Sequence, residues 1–276
     1  MAKHGFSVKF WGVRGSIATP GPAYQRYGGN TSCIEVRCGD ELIILDAGTG
    51  IRPLGKAMLQ GDTKSANLLL THTHFDHICG LPFFAPIYCK GYSIKMRAGH
   101  LLPSSNVRKV LCELMMAPLF PIPPSVFAAD VTYQDFSCGE TLKINGDIRV
   151  KTGALNHPNG ACGYRIEYDG RAVCYITDTE HRPGIVDQRV VDLCAGADMM
   201  IYDSTYTDEE FQRFIGWGHS TWQEAVRVAD AAGVGTCVLF HHDPSHDDAF
   251  MDRVAAEAEA ARPGTVVARE GLVLQV

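Results

Sequence analysis

Three histidines and one aspartate fall within a single short stretch, at His72, His74, Asp76 and His77. The apolar run Leu68–Leu70 directly before them predicts the end of a buried strand. Because alternate side chains of an extended chain point the same way, His72 and His74 project together, and Asp76 and His77 follow on the turn. Neutral imidazoles and a carboxylate are metal ligands. The spacing therefore predicts a metal site rather than a solvated loop that happens to be rich in histidine.

Further histidines and an aspartate stand where a predicted strand meets a loop. His157 precedes a predicted hairpin and Asp178 ends it, whereas His219 directly precedes a predicted helix. His241 and His242 follow a short apolar strand. Because α/β proteins assemble their sites at strand ends, these residues are candidates to join the first motif. The histidines without this context, which we interpret as structural or surface residues, are His4, His100, His181 and His246.

The elements that must position these residues alternate between strands and helices, which indicates an α/β architecture. Two segments predict hairpins, one turning at Gly39-Asp40 and the other at Asp169-Gly170. The second strand of each ends in an aspartate, Asp46 or Asp178. This similarity predicts one domain over residues 1–276, built from two αβ halves joined near residues 130–140.

Three other segments have weaker patterns. Residues 82–128 are rich in proline and apolar residues, and we expect an irregular lid, a subunit interface or a packed connection. Ser220 is predicted to cap a helix that closes at Gly233. A short strand is predicted over Thr236–Phe240, and Ser245 is predicted to cap a final helix through Ala261.

The composition is that of a globular protein with a sizeable core, since 46% of the 276 residues are hydrophobic and 20% are charged. The formal net charge of −6 and the absence of a basic run argue against a nucleic-acid-binding surface. Residues 1–12 do not resemble a signal peptide, and no apolar run is long enough to span a bilayer. The 10 cysteines include no C-x-x-C pair. We therefore expect a cytoplasmic protein with reduced thiols and no membrane contact.

The histidine-rich stretch resembles the H-x-H-x-D-H signature of the metallo-β-lactamase superfamily. His157, Thr177-Asp178-Thr179, Gly218-His219-Ser220-Thr221 and Leu239-Phe240-His241 follow in the order of that superfamily. This arrangement of the later motifs, together with segments 10–16 and 46–50, is similar to that of one phosphodiesterase branch. The branch contains RNase Z, the cyclic-phosphodiesterase of phosphonate metabolism and cyclic-nucleotide phosphodiesterases. The resemblance covers nearly the whole chain and is weakest over residues 82–135. It implies a four-layer αβ/βα sandwich with the site at the rim between two sheets, and a homodimer.

Carried over position by position, the resemblance implies a site for two metal ions. Oxygen and nitrogen ligands without a thiolate favour Zn²⁺, while Mn²⁺ or iron also fits. Asp46 is a candidate to orient a ligand histidine or to fix a loop. His242 is the alternative to His241 as a metal ligand. The implied ligands are His72, His74 and His157 for the first ion, Asp76, His77 and His241 for the second, and Asp178 as the bridge.

The function implied by this site is phosphodiester hydrolysis. Two ions lower the pKa of a bridging water, Asp76 could also orient the resulting nucleophile, and His219 occupies the position that the branch uses to protonate the leaving oxygen. RNase Z usually carries a basic arm that grips transfer RNA, and this acidic chain has none. A small phosphodiester such as a cyclic nucleotide is therefore the favoured substrate, with no stable nucleic-acid partner. The alternatives are a glyoxalase II-like thioesterase, RNase Z-type RNA processing and a metal-binding sensor without turnover.

Overall fold

Two seven-stranded sheets form the centre of the computed structural model, which describes residues 5–276. The strands are β1 (Phe6–Gly12), β2 (Cys33–Cys38), β3 (Glu41–Leu45), β4 (Ser65–Leu70), β5 (Ser93–Ala98), β6 (Asp130–Asp135), β7 (Thr141–Lys143), β8 (Arg149–Leu155), β9 (Ala161–Tyr168), β10 (Arg171–Ile176), β11 (Met199–Asp203), β12 (Thr236–Phe240), β13 (Val266–Val267) and β14 (Val273–Gln275). The helices are α1 (Ile51–Gln60), α2 (Phe75–Ile78), α3 (Val107–Leu114), α4 (Gln188–Cys194), α5 (Asp208–Phe211), α6 (Trp222–Ala232) and α7 (Asp248–Ala261).

The two sheets repeat one pattern. The strand order is β14-β1-β2-β3-β4-β5-β6 in the first sheet and β13-β12-β11-β10-β9-β8-β7 in the second. In each sheet, antiparallel strands that include a hairpin lead into parallel strands, beginning at β3–β4 and at β10–β11. The chain passes from the first sheet to the second between Asp135 and Thr141, and β14 then returns to pair with β1.

Both hairpins turn at the predicted residues. Cys38 pairs with Glu41 in the first hairpin, and Tyr168 pairs with Arg171 in the second. Asp169 and Gly170 have φ values of 52° and 74°. A type I′ turn, which matches the strand twist, needs positive φ at both central positions, and this requirement explains the Asp-Gly sequence.

Three hydrophobic clusters fill the spaces between four layers. The inner faces of the two sheets meet in the first cluster, where Phe10 and Ile34 lie with Tyr175 and Phe240. The outer face of the first sheet packs on α1 and α3. The outer face of the second sheet packs on α4, α6 and α7. This arrangement is an αβ/βα sandwich, as predicted.

Residues 82–128 are more regular than the sequence indicates. They contain β5, which extends the parallel part of the first sheet, and the amphipathic helix α3. The expectation of an irregular segment is therefore wrong, because proline-containing 3₁₀ turns at Leu81–Phe83, Ala85–Tyr88 and Pro124–Val126 surround these elements and hide their periodicity. Several apolar side chains here are exposed, Leu119 most of all.

Two helix caps also differ from prediction. The side chain of Thr221, rather than that of Ser220, accepts the backbone N–H of Glu224 at the start of α6. Asp247, rather than Ser245, caps α7 by accepting the N–H of Phe250. In both cases a second cap-forming residue lies within two positions, and the sequence does not distinguish between them.

The described residues include no helix that is long and apolar enough to cross a membrane. All ten cysteines lie within the described residues and are free thiols. His4 lies outside the described residues.

Candidate metal centre

The polar residues predicted from the sequence meet at one rim between the two sheets. The loop after β4 carries His72, His74, Asp76 and His77 from the first sheet. The second sheet contributes residues from the ends of β8, β10 and β12, which are His157, Asp178 and His241. Parallel strands bring their carboxyl ends to the same edge, so residues distant in sequence become neighbours there.

The first group of donors consists of His72, His74 and His157. One ring nitrogen of each lies within 4.8 Å of the others. The Nδ1 of His74 faces the Nε2 of His157 at 3.0 Å.

The second group consists of Asp76, His77 and His241, whose donor atoms also lie within 4.8 Å of one another. The Nε2 of His77 lies 3.3 Å from both His241 Nε2 and Asp76 Oδ2. His242 lies elsewhere, since its Nε2 donates to the carbonyl of Ala268 at 2.8 Å. The structure therefore brings His241, and not its neighbour, to the centre.

Asp178 stands between the two groups with one carboxylate oxygen facing each. Its Oδ1 lies 3.7 Å from the Nε2 atoms of His72 and His157. Its Oδ2 lies 3.1 Å from His77 Nε2 and 3.3 Å from His241 Nε2. This is the placement that a bridging carboxylate requires.

Several of the histidines are oriented through their second ring nitrogen. His77 Nδ1 donates to Asp46 Oδ2 at 2.9 Å, and His157 Nδ1 donates to the carbonyl of Gly218 at 2.7 Å. His241 Nδ1 lies 3.0 Å from the hydroxyl of Thr205. Such contacts fix the ring tautomer and direct Nε2 into the centre.

A cation would complete the hydrogen bonding and charge of this centre. Nε2 of His72 is buried and has no hydrogen-bond partner among the described residues. Burial, followed by the nearby His77, holds the pKa of His72 well below its usual value, so a proton does not fill this position. A buried, neutral imidazole with a free lone pair can serve as a metal ligand.

The charge balance of the second group leads to the same conclusion. Burial opposes ionisation of His77, but the carboxylates of Asp178, Asp76 and Asp46 raise its pKa well above the usual value. Burial likewise opposes the charge on Asp178, yet His241, His77 and His72 lower its pKa. Buried carboxylates thus need a positive charge at this point, which a divalent ion can supply in place of the proton on His77.

Comparison with known proteins agrees with this geometry. The model of the β-lactamase superfamily domain matches residues 42–242. The chain belongs to this superfamily. Ribonuclease Z of Haloarcula marismortui is 24% identical in an alignment 314 residues long that covers 95% of this chain and 94% of the relative.

Solved structures show the same metallo-β-lactamase fold. The metallo-β-lactamase fold protein YhfI from Bacillus subtilis superposes with a TM-score of 0.75 at 19% identity, covering 99% of this chain and 100% of that one. A diphosphatase from the PhnP family superposes with a TM-score of 0.70 at 18% identity, covering 98% of each chain.

The backbone of this superfamily member is strained around the centre. Asp46, Asp178 and His241 have φ values of 62°, 57° and 64°, which residues other than glycine adopt rarely. Each follows the end of a strand, and the left-handed conformation turns its side chain into the rim. Strain of this kind persists only where the surrounding structure enforces it, and it is concentrated at functional sites.

The segment after β1 closes one side of the centre. The backbone N–H of Ser16 donates to Asp76 Oδ2 at 2.8 Å. A Cβ at Gly15 would lie 2.3 Å from the His241 ring, so only glycine fits. The Arg14-Gly15-Ser16 sequence thus positions a predicted ligand.

Asp46 serves both of its predicted roles. Besides orienting His77, its carboxylate accepts the backbone N–H of Thr71 at 2.8 Å and the hydroxyl of Tyr175 at 2.9 Å. It therefore holds the start of the histidine-rich loop as well as one ring.

One residue of the site escaped the sequence analysis. Asp203 is fully buried at the end of β11, and its Oδ2 lies 3.0 Å from His219 Nδ1. The sequence pattern could have identified Asp203, because this residue ends an apolar run just as Asp46 does.

His219 lies outside both groups of three, but one of its ring nitrogens lies within 4.8 Å of donor atoms of Asp178, Asp203 and His241. Its Nδ1 is 3.7 Å from Asp178 Oδ1, and its ring stacks on that of His241 with centroids 4.9 Å apart. Its side chain remains 12% exposed, whereas those of Asp178 and His241 are buried. It is therefore placed to meet a bound molecule.

The remaining histidines are structural in the described residues. His181 donates or accepts a 2.8 Å hydrogen bond with Ser220, and His246 contacts Glu210 at 2.9 Å. His100 lies nearer to the centre than expected, with its Nε2 3.1 Å from the hydroxyl of Thr73.

Proposed function

We propose that this protein is a two-metal hydrolase of small phosphodiesters, with cyclic nucleotides as the favoured class. The observation that carries the proposal is the position of Asp178, whose two oxygens face two separate groups of nitrogen and oxygen donors. Membership of the superfamily and the similarity to ribonuclease Z support a metal-dependent hydrolase.

The residues assigned to the ions follow from these groups. We assign His72, His74 and His157 to one ion, Asp76, His77 and His241 to the other, and Asp178 to both. Imidazole and carboxylate donors without thiolate favour Zn²⁺, and Mn²⁺ or iron is compatible. When bound, two such ions supply an acidified water and polarise a phosphoryl oxygen.

Two side chains of the protein would move or direct protons. Asp76 is held by the N–H of Ser16 and can orient the attacking water. Burial opposes protonation of His219, but the charge and hydrogen bond of Asp203 raise its pKa to about 9. His219 therefore carries a proton at neutral pH that it can donate to the departing alkoxide.

The preference for a small substrate rests on charge. The chain has 31 acidic and 25 basic residues and no basic run, so it offers little attraction to a polynucleotide. The ribonuclease Z relatives nevertheless make RNA processing the second candidate function. A cytoplasmic location and a homodimer stay predictions.

The test is a parallel assay of protein loaded with Zn²⁺ or Mn²⁺. The substrates are bis(p-nitrophenyl) phosphate, 2′,3′- and 3′,5′-cyclic nucleotides, a precursor transfer RNA and a glutathione thioester. We expect turnover of the small phosphodiesters, its loss in Asp178→Asn, and full activity in Asp62→Asn, a matched change at an exposed aspartate.

Other outcomes would replace the proposal. Efficient maturation of the precursor RNA with negligible cyclic-nucleotide hydrolysis would establish RNA processing. Thioester turnover alone would establish a glyoxalase II-like enzyme. Two bound ions without turnover of any substrate would favour the alternative of a metal-binding sensor.

A further inference from the structure

A series of aromatic rings leads from the metal centre to solvent. The ring of Tyr206 meets His219 edge-on at 6.1 Å between centroids and stacks on Phe214 at 4.5 Å. Phe214 in turn contacts the ring of Trp217 at 5.3 Å. The metal ligands and proton donor discussed above do not require these rings, so the series needs its own explanation.

Trp217 is the exposed end of this series. Its side chain is 62% exposed, whereas Trp222 nearby is 7% exposed. An indole buries more apolar area than most side chains, and leaving it in water forgoes that stabilisation. Trp217 is two residues from His219, so the two Cα atoms lie within about 7 Å of each other.

The loop that carries Trp217 is fixed in place. The carboxylate of Glu180 accepts the backbone N–H groups of Gly216 at 2.7 Å and Gly218 at 2.9 Å. Gly218 has a φ of 88°, and a Cβ there would lie 2.4 Å from His157 Nδ1. The backbone of the loop is therefore held against a candidate ligand histidine, and it presents the indole to solvent.

We propose that Trp217 is a stacking platform for the nucleobase of the substrate. This inference rests on the proposed function and assigns a residue to recognition of the base of its favoured substrate class. An exposed aromatic ring stacks on any base, because every base has a π-face. A rigid platform loses little conformational freedom on binding. With the phosphate at the metal centre, the base of the same nucleotide would extend toward the indole of Trp217, two residues before His219.

The first test measures binding without turnover. Adenosine monophosphate and ribose 5-phosphate, which lacks the base, are titrated calorimetrically into metal-loaded wild-type protein and variants. We expect Trp217→Ala to weaken adenosine monophosphate binding about 10-fold and Trp217→Phe to weaken it less. Ribose 5-phosphate should bind all variants equally. Ile215→Ala is the matched control, because it removes another exposed apolar side chain of the same loop.

Two results would contradict the proposed role of Trp217. One is unchanged adenosine monophosphate binding in Trp217→Ala, and the other is an equal loss for both ligands. Failure of adenosine monophosphate to bind at all would also exclude it. These binding measurements need no hydrolysis, so they test the role of Trp217 even if no phosphodiester is cleaved. Absence of cleavage would refute the proposed function separately.

The second test uses kinetics. In Trp217→Ala, KM for a 3′,5′-cyclic nucleotide should rise about 10-fold with kcat little changed, while KM for ethylene phosphate, a cyclic diester without a base, should stay the same. Equal changes in KM for the two substrates would indicate a general disturbance of the site and contradict a role in base recognition.

Discussion

His219 Nδ1 lies 3.0 Å from the buried carboxylate of Asp203, and one donor atom of each lies within 4.8 Å of those of Asp178 and His241. Asp203 also accepts the hydroxyl of Thr205 at 2.7 Å, and that hydroxyl contacts Nδ1 of His241. One carboxylate thus orients both the predicted proton donor and, through a hydroxyl, a predicted metal ligand.

Asp203→Asn should therefore weaken catalysis without emptying the site. Asp203 raises the pKa of His219 to about 9, so its loss lowers that pKa and the active, protonated ring disappears at a lower pH. We expect kcat on a cyclic nucleotide to fall roughly 10²-fold and the alkaline limb of the pH–rate profile to move down. Asp192→Asn, at an exposed position, is the control. An unmoved alkaline limb would assign Asp203 a purely structural role.

His219→Ala should depend on the leaving group. Seven other residues are available to complete the metal shells, so we expect this variant to keep its metals. Hydrolysis of a cyclic nucleotide should slow roughly 10²–10⁴-fold, because its alkoxide needs a proton to depart. A p-nitrophenyl ester should lose far less, since its phenolate is stable unprotonated. Equal losses on both substrates with metals retained would indicate phosphate binding instead, and loss of metal would make His219 a ligand.

The metal content should be about two ions per chain, because seven donor residues exceed what one tetrahedral ion needs. Asp178→Ala removes the carboxylate that faces both groups, and we expect activity to be abolished. Elemental analysis of active protein is the measurement, with Asp62→Ala as the control. Full activity with a single ion would refute the two-metal proposal.

His242 should make the protein sensitive to acid. Burial, with a smaller effect of Arg14, lowers its pKa to about 3. The unfolded chain, with an ordinary histidine pKa near 6.5, binds the proton first as pH falls. The stabilisation from neutral His242 is therefore present above about pH 6.5 and is lost as pH falls toward 3.

The matched variant is His242→Gln, which can still donate to the carbonyl of Ala268 but does not titrate. Urea unfolding with chelator present, at pH 7 and pH 4.5, gives the free energy of unfolding of both proteins. We expect the wild type to lose roughly 2–3 kcal/mol more than the variant between these pH values. Parallel pH dependences would show that His242 is not the group responsible.

The sequence was most informative where one residue type has one structural use. Asp169-Gly170 predicts its hairpin because a tight turn demands positive φ, and the structure has that turn. The spacing of His72, His74, Asp76 and His77 likewise predicts neighbouring donor atoms, which lie together at the rim.

The sequence was less informative where tertiary packing decides. Asp203 follows an apolar run without any histidine beside it, and its role appears only when His219, 16 residues later, folds back on it. The choice between Thr221 and Ser220 as a cap depends on a neighbour as well, because the Ser220 hydroxyl is engaged by His181. Neither relationship is encoded in local spacing.

The return of β14 to β1 affects how the protein can be made. Lys9 pairs with Val273, so the first sheet stays incomplete until Val273 has left the ribosome. The second group of metal donors is also completed late, because His77 and His241 are 164 residues apart. At ordinary rates of translation, roughly 8–30 s separate the synthesis of these two residues. During that interval the nascent chain acquires His157 and Asp178, so the first group of donors is complete well before the second, which requires His241.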